Sequence, residues 1–490
     1  TATAVYNTAV GYNSGASVTT GVQNTLIGAL AASSLTDADF NTVVGNQALT
    51  SDTLGSRTTA IGRFAGFNQN FTAATDSNNV YVGYYAGANV TTGLSNTLIG
   101  TEAGDALTGS GFSGSTRQGG ADFNIAIGKD ALGQDTKGNK SVAIGNAALN
   151  TQNFTTSTDS NNTAVGFNAG LAVTTGTDNT FIGTQAGVAV TDGNTNTAVG
   201  SAALFTNTRG DRNTAVGYES LKAMISTADA DIYNTAVGYQ AGKAITTGIR
   251  NTLIGGLAGD DTDEGDNNVA VGYLALSADC GDSNCAVGTS ALEVCTGSDS
   301  TGLGTAAGAD AQAAINCMFL GHDAGRTGSP GGSIVNNSNI LSMGDENVSA
   351  CHIQTDWTVA SDQRDKTDFT ALDIGLDFVK ALNPVTYKWD KRSKYGDKKA
   401  DDYDLDAQTP DGTHKEDWLD VGFKAQEVEV LEKAAGYKIA DKTNLVTSLS
   451  DDGKQYGMQY SKFVPILVKA IQELSAKNDA LEARIATLEG

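Results

Sequence analysis

Proline is nearly absent from this chain of 490 residues, with 4, and histidine and tryptophan occur 3 times each. Glycine is plentiful at 59, yet it does not recur at every third position, so a collagen-like helix is excluded. Charged residues are only 18%, and they are one-sided: 31 basic against 55 acidic gives a formal net charge of −24. A surface of that sign repels nucleic acid and anionic membranes, which disfavours both as direct partners; metal ions and polar glycans are not disfavoured. The five cysteines, Cys280, Cys285, Cys295, Cys317 and Cys351, are an odd number and include no CxxC pair. They read as small buried or incidental side chains, not as a disulfide framework or a zinc site, and no metal or cofactor is called for. No run of 18 apolar residues occurs, so no membrane span is expected, and no signal peptide opens the sequence. Thr1 begins almost inside the first repeat, which suggests an upstream anchor that was removed or lies outside this sequence.

What the sequence does have is a repeat. A motif close to Asn-Thr-Ala-Val-Gly recurs in 18 copies, its closing glycines running from Gly11 to Gly321, and eleven of the 17 spacings are 17 residues. Asn161-Asn162-Thr163-Ala164-Val165-Gly166 reads as a short strand of small and β-branched residues. Ala169-Gly170 and Thr174-Thr175-Gly176 read as two bends, and no copy carries the 3.6-residue stripe of a helix. So short a unit buries a core only by stacking, which predicts a mainly β fold with a β-solenoid or β-roll shaft. At one strand spacing per coil the stack would be about 85 Å long. Its inward positions are read as Ala, Val, Ile and Thr. Stacked Asn7, Asn24, Asn41, Asn96, Asn179 and Asn196 are expected to form amide ladders. The longer spacings place four extra residues in Phe71–Asn78, Phe154–Asn161 and Met224–Ile232 and eleven in Leu107–Asp122, as enlarged lateral loops that read first as solvent-exposed spacers and otherwise as the surfaces where a ligand would be met. Coils this thin enclose little core, so close chain association is attractive.

The pattern fades after Gly321, and the organisation reads as a repeat shaft over 1–328, a degenerate repeat and junction over 329–360, and a separate domain over 361–490. The last region holds 19 of the 31 basic residues and three of the four prolines. Thr370–Leu382 has a helical pattern ended by Pro384, Val385–Trp389 reads as a strand, and Tyr395–His414 as an exposed polar loop. The acidic cluster Asp401–Asp406 in that loop lacks the ordered spacing of an EF-hand. Val421–Ala425 reads as a strand leading into a helix at Gln426–Ala434, and Tyr456–Tyr460 as extended. In the final helix Leu467, Ile471, Leu474, Asn478, Leu481, Ile485 and Leu488 alternate at spacings of four and three. That is the a/d seam of a parallel coiled coil over 465–489, with Asn478 at an a position where a polar group fixes register.

One short segment carries chemistry. In Ser361-Asp362-Gln363-Arg364-Asp365-Lys366 a hydroxyl and an amine lie five residues apart, and a neutral lysine can activate a serine. By spacing alone a solvated charged turn is the simpler reading. The segment from Ser361 onwards, however, resembles the intramolecular chaperone domain of phage tailspikes and tail fibres, the peptidase S74 family. The matching elements are Ser361-Asp362-x-Arg364-x-Lys366, then Leu382 to Trp389, Val421 to Val428, and Tyr460 to Leu474. The repeat region is similar to the shafts of marine phage fibres and, more loosely, to the head β-roll of trimeric adhesins.

The resemblance implies a homotrimer, a shaft followed by a small α/β domain, and a domain that aligns three chains. It also implies a single-turnover Ser-Lys autoprotease that cuts between Ala360 and Ser361, with Ser361 as nucleophile and Lys366 as general base. Asp362 and Arg364 would support the turn. The function implied is that of a virion tail fibre or spike used in host attachment and assembled in the host cytoplasm. Its partners would be other tail or baseplate proteins and a host surface receptor such as a glycan. A cellular or extracellular trimeric adhesin built from the same parts is the alternative; a glycan-degrading tailspike is disfavoured because no pair of acidic residues stands out. One residue departs from the family pattern: Asp365 stands where an aliphatic residue usually precedes the lysine, and a carboxylate there favours the protonated amine.

Overall fold

The structure is a computed structural model. It describes residues 5–109, 119–226, 230–354, 357–398, 400, 402–450 and 452–490, with the backbone of 112–113 and 116–117. The insertion over 107–122, the enlarged bend 224–232, the connection 348–360 and the acidic loop 401–406 each include residues outside that set. Two compact units are present, Thr1–Asp299 and Ser300–Gly490.

The first unit is a β-solenoid. Among the described residues its rungs are sixteen three-residue strands, from Thr8–Val10 to Cys285–Val287. They pair in parallel and in register: Thr163 lies beside Thr180, Thr180 beside Thr197, and Thr197 beside Thr214. Side chains alternate across a strand, and the central residue of each rung is the one that points inward. Leu26, Ala60, Tyr81, Ala164 and Phe181 are buried at that position. The first and third residues face outward, so the Thr and Val/Ile positions expected in the core are on the surface. Ile27, Ile182 and Ile254 remain 38%, 40% and 41% exposed. The result is an apolar column along the outer face of the rungs.

Core volume is shared by trades within some coils and between neighbouring ones. In the coils centred on Ala143 and Ala198 the residue six positions on is a buried leucine, Leu149 and Leu204. In those centred on Ala60 and Ala164 it is Gly66 and Gly170, whose space is taken by Tyr81 and Phe181 of the next coil. Where the centre is large, as in Tyr81, Leu98, Phe181 and Leu253, that residue is Gly87, Gly104, Gly187 or Gly259. A Cβ on Gly187 would lie 2.4 Å from the Phe181 ring. The closing glycines are required for another reason. Gly166 has φ +144°, and a Cβ there would lie 2.4 Å from the carbonyl oxygen of Gly183 in the next coil.

The asparagines form a ladder mainly through the backbone; one step is amide to amide, Asn213 Nδ2 donating to Asn196 Oδ1 at 3.1 Å. Asn179 Oδ1 accepts from the Asn196 backbone N–H at 2.9 Å, and its Nδ2 donates to the Gly193 carbonyl at 2.8 Å. Asn24, Asn96, Asn162 and Asn251 do the same with the coil that follows each. Two coils replace the ladder residue by Thr58 and Ser141. There a buried glutamine completes the network: Gln69 donates to Asp52 and Thr58, and Gln152 donates to Asp135 and Ser141. These coils carry two of the three four-residue enlargements. Each adds a two-residue parallel pair, Gly55–Ser56 with Thr75–Asp76 and Gly138–Asn139 with Thr158–Asp159.

The second unit opens with three rungs, Thr301–Leu303, Met318–Leu320 and Leu341–Met343. The last is the degenerate copy read from Asn336–Gly344. Beyond it lie α1 (Leu376–Ala381), α2 (Ala425–Ala434) and α3 (Phe463–Glu489). An antiparallel pair joins Val385–Tyr387 to Asp420–Gly422, and a hairpin joins Thr447–Leu449 to Tyr456–Met458. Ile374, Phe378, Val428, Val446, Phe463 and Ile466 form the core. The first helix starts later than its apolar pattern suggested. Glu473 of α3 accepts from the Leu376 N–H at 2.8 Å and thereby caps α1 at Leu376. Trp357, Trp389 and Trp418 are all exposed and contribute no core.

Candidate functional site

Ser361 to Lys366 fold as one tight turn, a 3-10 helix over Gln363–Asp365. Asp362 caps it, its side chain accepting from the Arg364 N–H at 2.9 Å. The Arg364 guanidinium grips the same carboxylate, with Nη2 2.7 Å and Nε 3.1 Å from its oxygens. That charge-assisted fork holds the Asp362 carboxyl below its ordinary value. The turn brings the ends of the motif together. Lys366 Nζ lies 2.6 Å from Ser361 Oγ and 3.3 Å from the Ser361 carbonyl oxygen. This is the contact a lysine base needs with a serine nucleophile. Among the described residues neither Asp362 nor Asp365 forms an ion pair with Lys366, because Asp362 is engaged by Arg364. The whole segment is exposed, Ala360 and Ser361 included.

The helix α3 has two characters. Phe463, Ile466 and Ala470 are buried against the domain. Leu467, Ile471, Leu474, Leu481, Ile485 and Leu488 are exposed, Ile471 at 65% and Leu488 at 81%. Asn478 also faces water, its Nδ2 donating to Glu482 Oε1 at 3.0 Å. The seam read from the sequence is therefore an apolar stripe, interrupted at Asn478, with no cover among the described residues of the single chain.

Three features had no clear sequence signal. Buried Glu432 of α2 accepts from the N–H groups of Leu445 and Val446 at 2.8 and 2.6 Å and orders the approach to the hairpin. Glu346 is 8% exposed and is paired with Lys398. On the first unit a polar cavity of about 650 Å³ is lined by Ser51, Asn68, Asn70, Asn89, Thr91 and Thr108. All three depend on residues far apart in sequence.

Among the described residues no helix is long and apolar enough to cross a membrane. Residues 361–437 match the model of the family peptidase S74, chaperone of endosialidase. No curated protein and no solved structure matches the chain. The matched segment starts at the serine of the Ser-Lys turn, and the region that begins there carries the intramolecular-chaperone domain of the peptidase S74 family, which fits a protein of the tail-fibre or spike type.

Proposed function

We propose that this chain is one of three identical subunits of a virion tail fibre or spike, whose C-terminal domain gathers and registers the chains and then cuts the link between Ala360 and Ser361. The carrying observation is the uncovered apolar column of Val and Ile along the outer face of the rungs. Burying such side chains is favourable by about 25 cal/mol per Å² of apolar surface, and a lone chain leaves the column in water. Sister chains carry the same column at the same rungs, so they cover it if they are aligned. The bare seam of α3 supplies the alignment. A coiled coil at the C-terminus raises the local concentration of the shafts and sets their register.

Cleavage follows from the Ser-Lys turn. Lys366 in its neutral form takes the proton of Ser361 Oγ, and Oγ attacks the carbonyl carbon of Ala360. The Ala360–Ser361 C–N bond breaks, the ester C–O bond forms, and the proton passes to the released Ser361 amine. Water then hydrolyses the ester, leaving the Ala360 carboxylate and the Ser361 hydroxyl. Burial favours a neutral amine. The dyad is exposed in a lone chain, so the packing of partner chains is what would dry it and couple cutting to assembly. Host attachment falls to the flank of the shaft, where the polar cavity offers amides and hydroxyls to a surface glycan.

Light scattering on the intact chain, with intact-mass analysis of its fragments, tests this. A trimer with products of residues 1–360 and 361–490 is expected. A stable folded monomer would refute it.

A further inference from the structure

The bond to be cut and the contacts that hold the domain are in different places. Residues 347–354 and 357–371 are exposed. The contacts lie upstream of that segment on one side and downstream on the other. Lys391 Nζ donates to the Glu346 carbonyl oxygen at 2.7 Å and also pairs with Glu416 at 3.5 Å. Lys398 pairs with the Glu346 carboxylate, which is 8% exposed. Gly328 has φ +95°, and a Cβ there would lie 2.7 Å from the Ser393 Cβ and 3.1 Å from Lys398 Nζ. A Cβ on Gly332 would lie 2.9 Å from the Ser450 Cβ. The hydroxyl of Tyr403 is buried and has no hydrogen-bond partner among the described residues, and the Glu346 charge pushes its pKa up further after burial.

We infer that the tail of the repeat region, Gly328 to Glu346, is a retention site for the excised fragment 361–490. Cutting Ala360–Ser361 removes none of these contacts. It only divides the connection between Glu346 and the Ser-Lys turn, exposed over 347–354 and 357–360. Cleavage and release are then two events, and the second requires Glu346 to leave its lysines. A carboxylate so little exposed is screened weakly by salt, so the pairing outlasts moderate ionic strength. Reversing the charge at this little-exposed position sets a lysine against Lys398, and two like charges there drive the pieces apart.

This inference rests on the proposed cleavage, so the test makes the cut independently. A site for a sequence-specific protease is placed in the exposed segment before Ser361 of the full chain, and the Ser361→Ala background removes self-cutting. After digestion, size-exclusion chromatography follows fragment 361–490. It is expected to co-elute with residues 1–360 in the parent chain and to elute separately in Glu346→Lys. The reversed pair, Glu346→Lys with Lys398→Glu, is expected to restore co-elution, which a general loss of folding would not do. Separation of the parent fragments directly after digestion overturns the inference, as does retention unchanged in Glu346→Lys. Absence of self-cutting in the unmodified chain would refute the cleavage reading alone.

Discussion

Lys366 Nζ and Ser361 Oγ are 2.6 Å apart, held there by a single turn that Asp362 caps and Arg364 clamps. The contact assigns different outcomes to four substitutions. Ser361→Ala removes the nucleophile and should abolish the 361–490 fragment in intact-mass analysis. Lys366→Met should slow its appearance roughly a hundredfold or more, the usual worth of a positioned base. Arg364→Ala should slow it less, because it loosens the turn without removing a reacting group. Asp365→Leu should leave the rate equal or raise it. Identical fragments from Ser361→Ala and the parent chain would discard the mechanism.

The outer column of the rungs predicts an assembly defect without a folding defect. Ile182→Asp places a charge on the outward face, where the parent residue is 40% exposed. The rung keeps its inward Phe181, so circular dichroism should be unchanged while light scattering shows loss of the trimer at micromolar concentration. Ile182→Val should behave as the parent chain. In α3, Leu474→Asp with Ile485→Asp should prevent association altogether. Unaltered trimers in both charged variants would separate assembly from these surfaces.

The trade between rung centre and the residue six positions on predicts coupling. Ala143→Leu overfills its coil and should cost about 1–3 kcal/mol. Leu149→Gly empties it and should cost at least about 2–5 kcal/mol. The double variant reproduces the pattern of Leu98 with Gly104 and should recover about 0.5–3 kcal/mol of the summed loss. Strict additivity in denaturant unfolding would show that the two positions do not share one volume.

Asp105 gives a pH dependence with a definite sign. Burial, then the charge of Glu102 and of Asp130, push its carboxyl from 3.8 up to about 6. The folded state therefore holds the proton more tightly than the unfolded state. The stability this confers is complete below pH 3.8 and is lost as pH rises through about 6. Asp105→Asn cannot lose it. The melting temperature of the variant relative to the parent should climb between pH 4 and pH 8, and a constant difference would contradict the assignment.

Much of the fold was legible in the sequence because the repeat is strict. The closing glycines mark where neighbouring backbones touch, and Gly166 shows that no other residue fits. The Ser361-Asp362-x-Arg364-x-Lys366 spacing likewise suffices to bring the dyad together, since the whole contact is made within one turn. The facing of the rungs was misread. In Thr-Ala-Val the two β-branched residues look like core, yet alternation can bury only the middle one or the outer two. The stack chooses the middle, where Leu149 and its equivalents complete the volume. The start of α1 was misplaced because its cap, Glu473, lies 97 residues away. Glu346 with Lys398, at a separation of 52, escaped for the same reason.

The asparagine ladder has a direction. Both partners of Asn179 belong to the coil on its C-terminal side, and so do those of Asn24, Asn96 and Asn251. A stack growing towards the N-terminus adds coils whose amides find donor and acceptor already in place. Growth the opposite way leaves the newest amide unmatched until another coil arrives, and an unmatched buried amide is costly. The two ends of the solenoid are thus unequal as seeds, and the favoured one is the C-terminal end.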